Sequence, residues 1–401
     1  MPNMAEPFRA GQWQREKTNA WMNWRASSET LSLPRLATLI AAISNVARGY
    51  LAEDALADAM VHEFPAVLRS CDSLGFDSAA QTVSYMIWHL ADRYGRVTQV
   101  LDRLFALGHL PIKRRGAAVL EVGAGPAPAL YAVRDYYDDL RAWIASANLE
   151  VEAAPAIVLA SIDRGPAWSS LLHQLSETLW SLSWPRPETT LPFSIGYDNL
   201  AGFSARDLHV GSIERIAAAI ERDFERAGED ITMRTARQFA LEDGGYPPSA
   251  YDMIIMCNFL TNTNLTQRFE SEIAELARSL TPGGIFLVLG GQGGEYPAIY
   301  NRLRSIVAAS RLRQLVGFDE PLQAHATNRQ RQLIGAQIRS DVAFASAVAQ
   351  RTFASVVAEL PTDIVKLDET IVFPRFRVHA WKNEWQRHTR SGKGTLDPKE
   401  T

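Results

Sequence analysis

The chain has 401 residues, with 41 Lys and Arg against 45 Asp and Glu, a net charge of −4, and 47% hydrophobic content. That length can bury a sizeable core in one large domain or two, and this charge gives no global case for binding nucleic acid or a membrane surface. Cys71 and Cys257 alone make neither a disulfide scaffold nor a zinc site, no stretch of about eighteen apolar residues appears, and the N-terminus has no apolar core of signal-peptide length. The expected location is therefore the cytoplasm.

Residues 1 to about 30 interleave Trp13, Trp21 and Trp24 with Arg9, Arg15, Lys17 and Arg25. This reads as an arm that docks on its own protein, with the rings buried and the arginines solvated; stacking on bases is the alternative. From Leu36 to about Leu110 the apolar residues recur at three- and four-residue steps, which predicts helices. The loop Ser70 to Ser78 breaks them, with Ser78 or Asp77 as the cap of the second. In that helix Tyr85, His89, Asp92, Arg93 and Tyr94 lie close together, either as a substrate-contacting cluster or as a solvated face with a packed tyrosine.

Ala117 to Tyr137 reads as strand, glycine turn and helix: Ala117 to Leu120, then Glu121, Gly123-Ala124-Gly125, then Ala129, Leu130, Ala132 and Val133 at helical spacing. Glycines at such a handover let the backbone approach a ligand, and the first helical turn offers N–H groups to it. The dinucleotide fingerprint would place its third glycine at position 128, which is Pro128. A second strand is expected over Ala154 to Asp163, with Asp163 at its end and Glu152 as the fallback acid, followed by a helix rich in tryptophan and leucine.

Residues 185–230 read as an insertion, and Ile231 to Phe239 as a strand followed by Leu241, Glu242 and Asp243. Tyr251 to Asn262 predicts a buried strand from Met253 to Cys257 that ends in Asn258, where parallel sheets place ligand sites. A helix then stops at Thr281-Pro282-Gly283-Gly284, and a strand runs from Ile285 to Leu289. Gly290 to Gly294 is a second glycine-rich bend. It leads into a helical segment to Leu360 that carries Arg302, Arg304, Arg311, Arg313, Arg329 and Arg331, facing phosphates of an RNA substrate or pairing with acids of the N-terminal helices. Val372, Phe373, Phe376, Val378 and Trp381 suggest a closing antiparallel strand or pair of strands.

In this order, Glu121 with Gly123 and Gly125, the strand ending at Asn258, and the helix–Leu280–Pro282–two-glycine–strand passage resemble the class I S-adenosylmethionine-dependent methyltransferases over roughly Ala117 to Leu289. Ala127 stands where that family often has a third glycine. The asparagine-proline-proline-aromatic form of its amino-methylating members is absent, because Phe259 and Leu260 follow Asn258. The resemblance implies an α/β doubly wound, mostly parallel seven-stranded sheet (111–385) behind an all-helical N-terminal domain (1–110). Insertions fall at about 185–230 and 295–360, and a polar tail at 386–401. It implies S-adenosyl-L-methionine as cofactor, bound by Glu121, Gly123, Ala124, Gly125, Asp163, Cys257 and Asn258. No metal is implied and no catalytic base is assigned, since in-line methyl transfer rests on positioning. The acceptor is expected to be an oxygen or nitrogen of a small molecule. RNA, a non-catalytic binding protein of the same fold and a dehydrogenase are the rivals.

Overall fold

The computed structural model describes residues 10–27, 29–52, 54–70, 74–112, 117–149, 157–163, 166–182, 251–310, 312–322, 328–360 and 375–384. Helices α1 (Ala10–Ser27), α2 (Glu29–Tyr50), α3 (Asp54–Ser70) and α4 (Ala79–Ala106) come first. Then β1 (Ala117–Val122), α5 (Pro128–Ser146), β2 (Ile157–Ile162) and α6 (Pro166–Leu182) alternate. The chain resumes with β3 (Tyr251–Cys257), α7 (Thr263–Arg268), α8 (Glu270–Arg278), β4 (Leu280–Gly290) and α9 (Tyr296–Ala308). It closes with β5 (Leu312–Gln314), α10 (Asn328–Val348), α11 (Phe353–Glu359) and β6 (Arg377–Asn383).

The strands form one sheet in the order β2-β1-β3-β4-β6-β5. β2, β1, β3 and β4 run parallel, while β6 is antiparallel to both β4 and β5. Central parallel strands are covered on both faces, which is why β3 is buried at every position. Alternation sends Leu120, Val122, Ile254, Met256, Phe286 and Val288 to a core with α8 and α9. Val119, Met253, Ile255, Ile285 and Leu287 go to the other face, among the N-terminal helices. Chain order reverses at β1, whose successor β2 lies on one side and β3 on the other. Open α/β sheets hold their ligands in the crevice at such a switch point.

The strand expected over Ile231 to Phe239 lies outside the described residues, as do the insertion at 185–230, Glu152, Leu241, Glu242, Asp243, Cys71 and the tail. Among the described residues the sheet is mixed and six-stranded.

The N-terminal elements are helical, yet they bury no core of their own. Leu39, Ile43, Met60, Phe64 and Met86 share one continuous cluster with the sheet. The segment expected as a helical insertion at 295–360 is also divided differently. α9 belongs to the core of the second sheet face and Leu312–Gln314 pairs with β6. Only after that does α10 cross to pack on α2 and α3.

The arm reading holds for its rings. Trp21 is fully buried, its indole N–H donates to the Tyr136 hydroxyl at 2.9 Å, and its ring packs on Trp24, Phe105 and Trp143 at 5.3 to 5.7 Å. Arg25 differs from the solvated arginine expected: it pairs with Asp102 and lies 4.9 Å over the Tyr136 ring. A guanidinium keeps its charge there because a carboxylate and an aromatic face replace water. Ser78 caps α4, accepting from the Gln81 N–H at 3.2 Å.

Candidate functional site

Val122 pairs with Ile162 on one side and Met256 on the other, so β1, β2 and β3 end level. Their three following loops therefore meet at one rim. The N–H groups of Gly123 and Ala124 both donate to the Ile162 carbonyl, at 2.9 and 3.2 Å. Gly123 and Gly125 have φ of +66° and +52°, the left-handed region where glycine alone is unstrained. Ala127, where the family often has a third glycine, has φ +57° and ψ +48°. The backbone keeps the glycine conformation without the glycine.

Glu121 is 1% exposed. Its oxygens accept from the Ala129 N–H at 3.1 and 3.2 Å and from the Leu130 N–H at 3.0 Å. Burial pushes its carboxyl up to about 8, against the pull of those two N–H groups. Both oxygens of Glu121, expected among the donor's contacts, face the first turn of α5. The carboxyl secures the start of α5, and two of the N–H groups are spent on it. Asp163 is half-buried and its Oδ2 accepts from the Gly125 N–H at 2.6 Å. A carboxylate at the β2 end thereby fixes the β1 turn.

Ala124 is buried in the turn. Cys257 ends β3, buried, its thiol pushed up to about 12 by burial; at that value it is a small packed residue rather than a nucleophile. Asn258 follows with φ +56°, a conformation asparagine tolerates. Its N–H donates to the Leu289 carbonyl at 2.9 Å and its Nδ2 to the Tyr296 hydroxyl at 3.1 Å. Its Oδ1 is shut off from solvent and has no hydrogen-bond partner among the described residues. The helix that follows is capped by Asn262, whose side chain accepts from the Leu265 N–H at 2.9 Å.

Aromatic rings wall this rim. A Cβ on Gly123 would lie 2.2 Å from Phe259 Cδ2, so that ring covers one side of the turn. A Cβ on Gly125 would lie 3.6 Å from the Trp168 ring. Trp168 in turn packs on Phe76 and Tyr85 at 5.2 and 5.7 Å, and Tyr85 on His89 at 4.6 Å.

The α4 cluster is not a solvated face. Asp92, Arg93 and Arg96 are 3, 7 and 4% exposed, and Asp92 accepts from Arg96 at 2.9 Å. Tyr94 turns to α5 and donates to Asp135 at 2.8 Å. Sequence spacing indicated His89, Asp92 and Arg93; it missed Arg96, one turn further along the same face, and Trp168.

At the opposite edge, Asp252 accepts from the Ala118 N–H at 2.9 Å and from the Thr281 hydroxyl. It ties β1 to β4 far from the rim. Of the arginines in the C-terminal segment, Arg302 pairs with Glu270 and Arg313 with Glu384. Their partners lie outside the N-terminal helices, unlike the pairing expected. Among the described residues no His, Cys, Asp and Glu grouping suits a metal ion, and no helix is long and apolar enough to cross a membrane.

No family model matches the chain, and no curated protein does. Among solved structures, the [4+2]-cyclase SpnF is similar at 13% identity over 78% of this chain and 86% of its own, with a TM-score of 0.33. A geranyl diphosphate C-methyltransferase from Streptomyces coelicolor, solved with S-adenosyl-L-homocysteine, gives 8% over 71% and 79%, with a TM-score of 0.30. A phosphoethanolamine N-methyltransferase from Haemonchus contortus gives 10% over 78% and 61%, with a TM-score of 0.35. These likenesses are remote.

Proposed function

We propose that this chain is an S-adenosyl-L-methionine-dependent methyltransferase of the class I type acting on a small-molecule acceptor. One observation carries the reading. Gly123–Gly125, Asp163 and Cys257–Asn258, contributed by distant parts of the chain, lie level at the C-terminal rim of β1, β2 and β3, beside the switch point of the sheet. The residues fit the donor in kind. The turn has two glycines in left-handed conformation, a carboxylate stands at the β2 end as a ribose partner, and the buried Asn258 Oδ1 awaits a donor.

When bound, S-adenosylmethionine supplies an electrophilic methyl: the acceptor's lone pair forms the new bond to carbon while the carbon–sulfur pair goes to sulfur, leaving a neutral thioether. This chain's own residues position and exclude water. Gly123 and Gly125 let the backbone come close, and Asp163 and Asn258 flank the turn. Trp168, Tyr85 and Phe76 form an apolar wall that keeps solvent from the acceptor.

Calorimetric titration with S-adenosylhomocysteine tests the reading, followed by its release from S-adenosylmethionine with candidate acceptors. One-to-one binding with turnover is expected. Binding without turnover on any acceptor would favour a non-catalytic protein of the same fold. Binding of a nicotinamide dinucleotide in its place would favour a dehydrogenase.

A further inference from the structure

The helices that follow β1 and β3 leave the sheet on opposite faces. Leu130, Val133 and Leu140 of α5, after β1, pack in the core shared with the N-terminal helices. Ile273, Leu276 and Ala277 of α8, after β3, pack in the core of the other face. Since β1 and β3 are neighbours in the sheet, their loops part in opposite directions and the crevice of the switch point opens between them. A ligand that touches the Gly123 turn and Asn258 together has to enter that crevice.

One side chain already stands in it. Phe259 belongs to the β3 loop and packs with the α8–α9 core, yet it reaches across to the β1 turn. A Cβ on Gly123 would meet the Phe259 Cγ at 2.5 Å and its Cβ at 2.7 Å. The residues on either side of Phe259 are fixed. Asn258 is held by its N–H on the Leu289 carbonyl and its Nδ2 on the Tyr296 hydroxyl, and Leu260 is 2% exposed. Phe259 itself is half-buried, with its ring 5.6 Å from that of Phe269. Its freedom is therefore rotation of its own ring about the Cα–Cβ bond, with the loop in place. Trp168, the ring over Gly125, differs: it is 5% exposed and packed on Phe76 and Tyr85, so it belongs to the core.

We infer that Phe259 is a plug: in the free chain its ring closes the crevice between β1 and β3, and S-adenosyl-L-methionine binds after the ring has turned out. The inference rests on the methyltransferase reading for the identity of the ligand, whereas the contact between ring and turn stands without it. An apolar ring that leaves a half-buried position gives up a contact that biases the chain toward the closed state by about three- to tenfold. The apparent affinity for the donor is lowered by the same factor, because only chains with the ring turned out are competent to bind.

Stopped-flow and equilibrium titrations of S-adenosylhomocysteine into the full chain, read by tryptophan fluorescence, test this on wild type, Phe259→Ala and Phe259→Leu. Phe259→Ala should bind about three- to tenfold more tightly, with the gain in the association rate. Phe259→Leu keeps an apolar contact with the α8–α9 core, which guards against a loosened loop, and should fall between the two. In parallel, wild type labelled with 4-fluorophenylalanine gives a fluorine spectrum in which the signal absent from labelled Phe259→Leu belongs to Phe259. Saturating S-adenosylhomocysteine should move that signal. A Phe259 signal that stays put at saturation, or a Phe259→Ala chain that binds no more tightly than wild type, would overturn the plug and make the ring a fixed wall of the site. Either result leaves the donor reading standing. Binding by Phe259→Ala without binding by wild type would support the plug in its tightest form. Binding by none of the three chains would sink the donor reading, and the plug with it.

Discussion

Glu121→Gln replaces a buried carboxyl with an amide of the same shape that still accepts from the Ala129 and Leu130 N–H groups. The folded carboxyl sits at about 8 against an ordinary 4.5, a difference of about 3.5 units, or about 5 kcal/mol at 1.36 kcal/mol per unit. The folded state binds this proton more tightly than the unfolded chain does. Its stabilisation is therefore fully present below about 4.5 and is lost as the pH rises through about 8. Glutamine carries no such proton. Urea denaturation followed by tryptophan fluorescence, from about pH 5 to about pH 8.5, should show wild type losing stability relative to the variant. The loss should reach about 1.4 kcal/mol for each pH unit within the window. Other titrating groups cancel in the difference between the two chains. A difference that stays constant across the range would refute the reasoning, because it would mean that Glu121 is ionised in the folded state.

Gly123→Ala places a side chain at φ +66° with its Cβ 2.2 Å from Phe259 Cδ2; it should cost about 2 kcal/mol or more in denaturant melts, part of it recovered by adding Phe259→Ala. Ala127→Gly should reverse the usual alanine preference. At φ +57° the relief of about 1–2 kcal/mol exceeds the added chain entropy of about 0.4–1 kcal/mol, so melts should show unchanged or slightly higher stability. Arg35 pairs with Asp139 at 2.7 Å, Asp135 at 3.1 Å and Asp138 at 3.7 Å, between α2 and α5. Arg35→Met removes the paired guanidinium from buried Asp139, while Asp135 keeps Arg134 and Asp138 keeps Arg141, and should destabilise the chain by about 3–5 kcal/mol in the same assay.

The elements that sequence made legible are those whose signal is local. The β1–turn–α5 unit announces itself through small apolar residues, two glycines and Pro128 at the helix start. The Thr281–Gly284 passage, expected to stop the helix, instead lies within β4 as an irregularity between Leu280 and Ile285, with Gly283 at φ +78° and a Cβ on Gly284 meeting the Thr281 carbonyl at 2.8 Å. Asp163 was legible despite its long offset from Gly125 because a strand end fixes its height whatever lies between. What stayed hidden depends on tertiary neighbours. Nothing in the spacing of Asp92, Arg93 and Arg96 says whether the charged stripe of α4 meets water or a sheet edge. β5 is three residues long, too short for any period to show. Glu121 reads as a ligand acid, and its bonds to the first turn of α5 show only once the helix is folded against it.

The most direct measurement is a crystal structure of the full chain with S-adenosylhomocysteine. The account predicts density for the adenosyl group across the ends of β1, β2 and β3, with the ribose at Asp163 and the amino acid part along Gly123 and Gly125. A ligand bound elsewhere, or a rim that stays packed by Phe259 and Trp168 at saturating ligand, would contradict it.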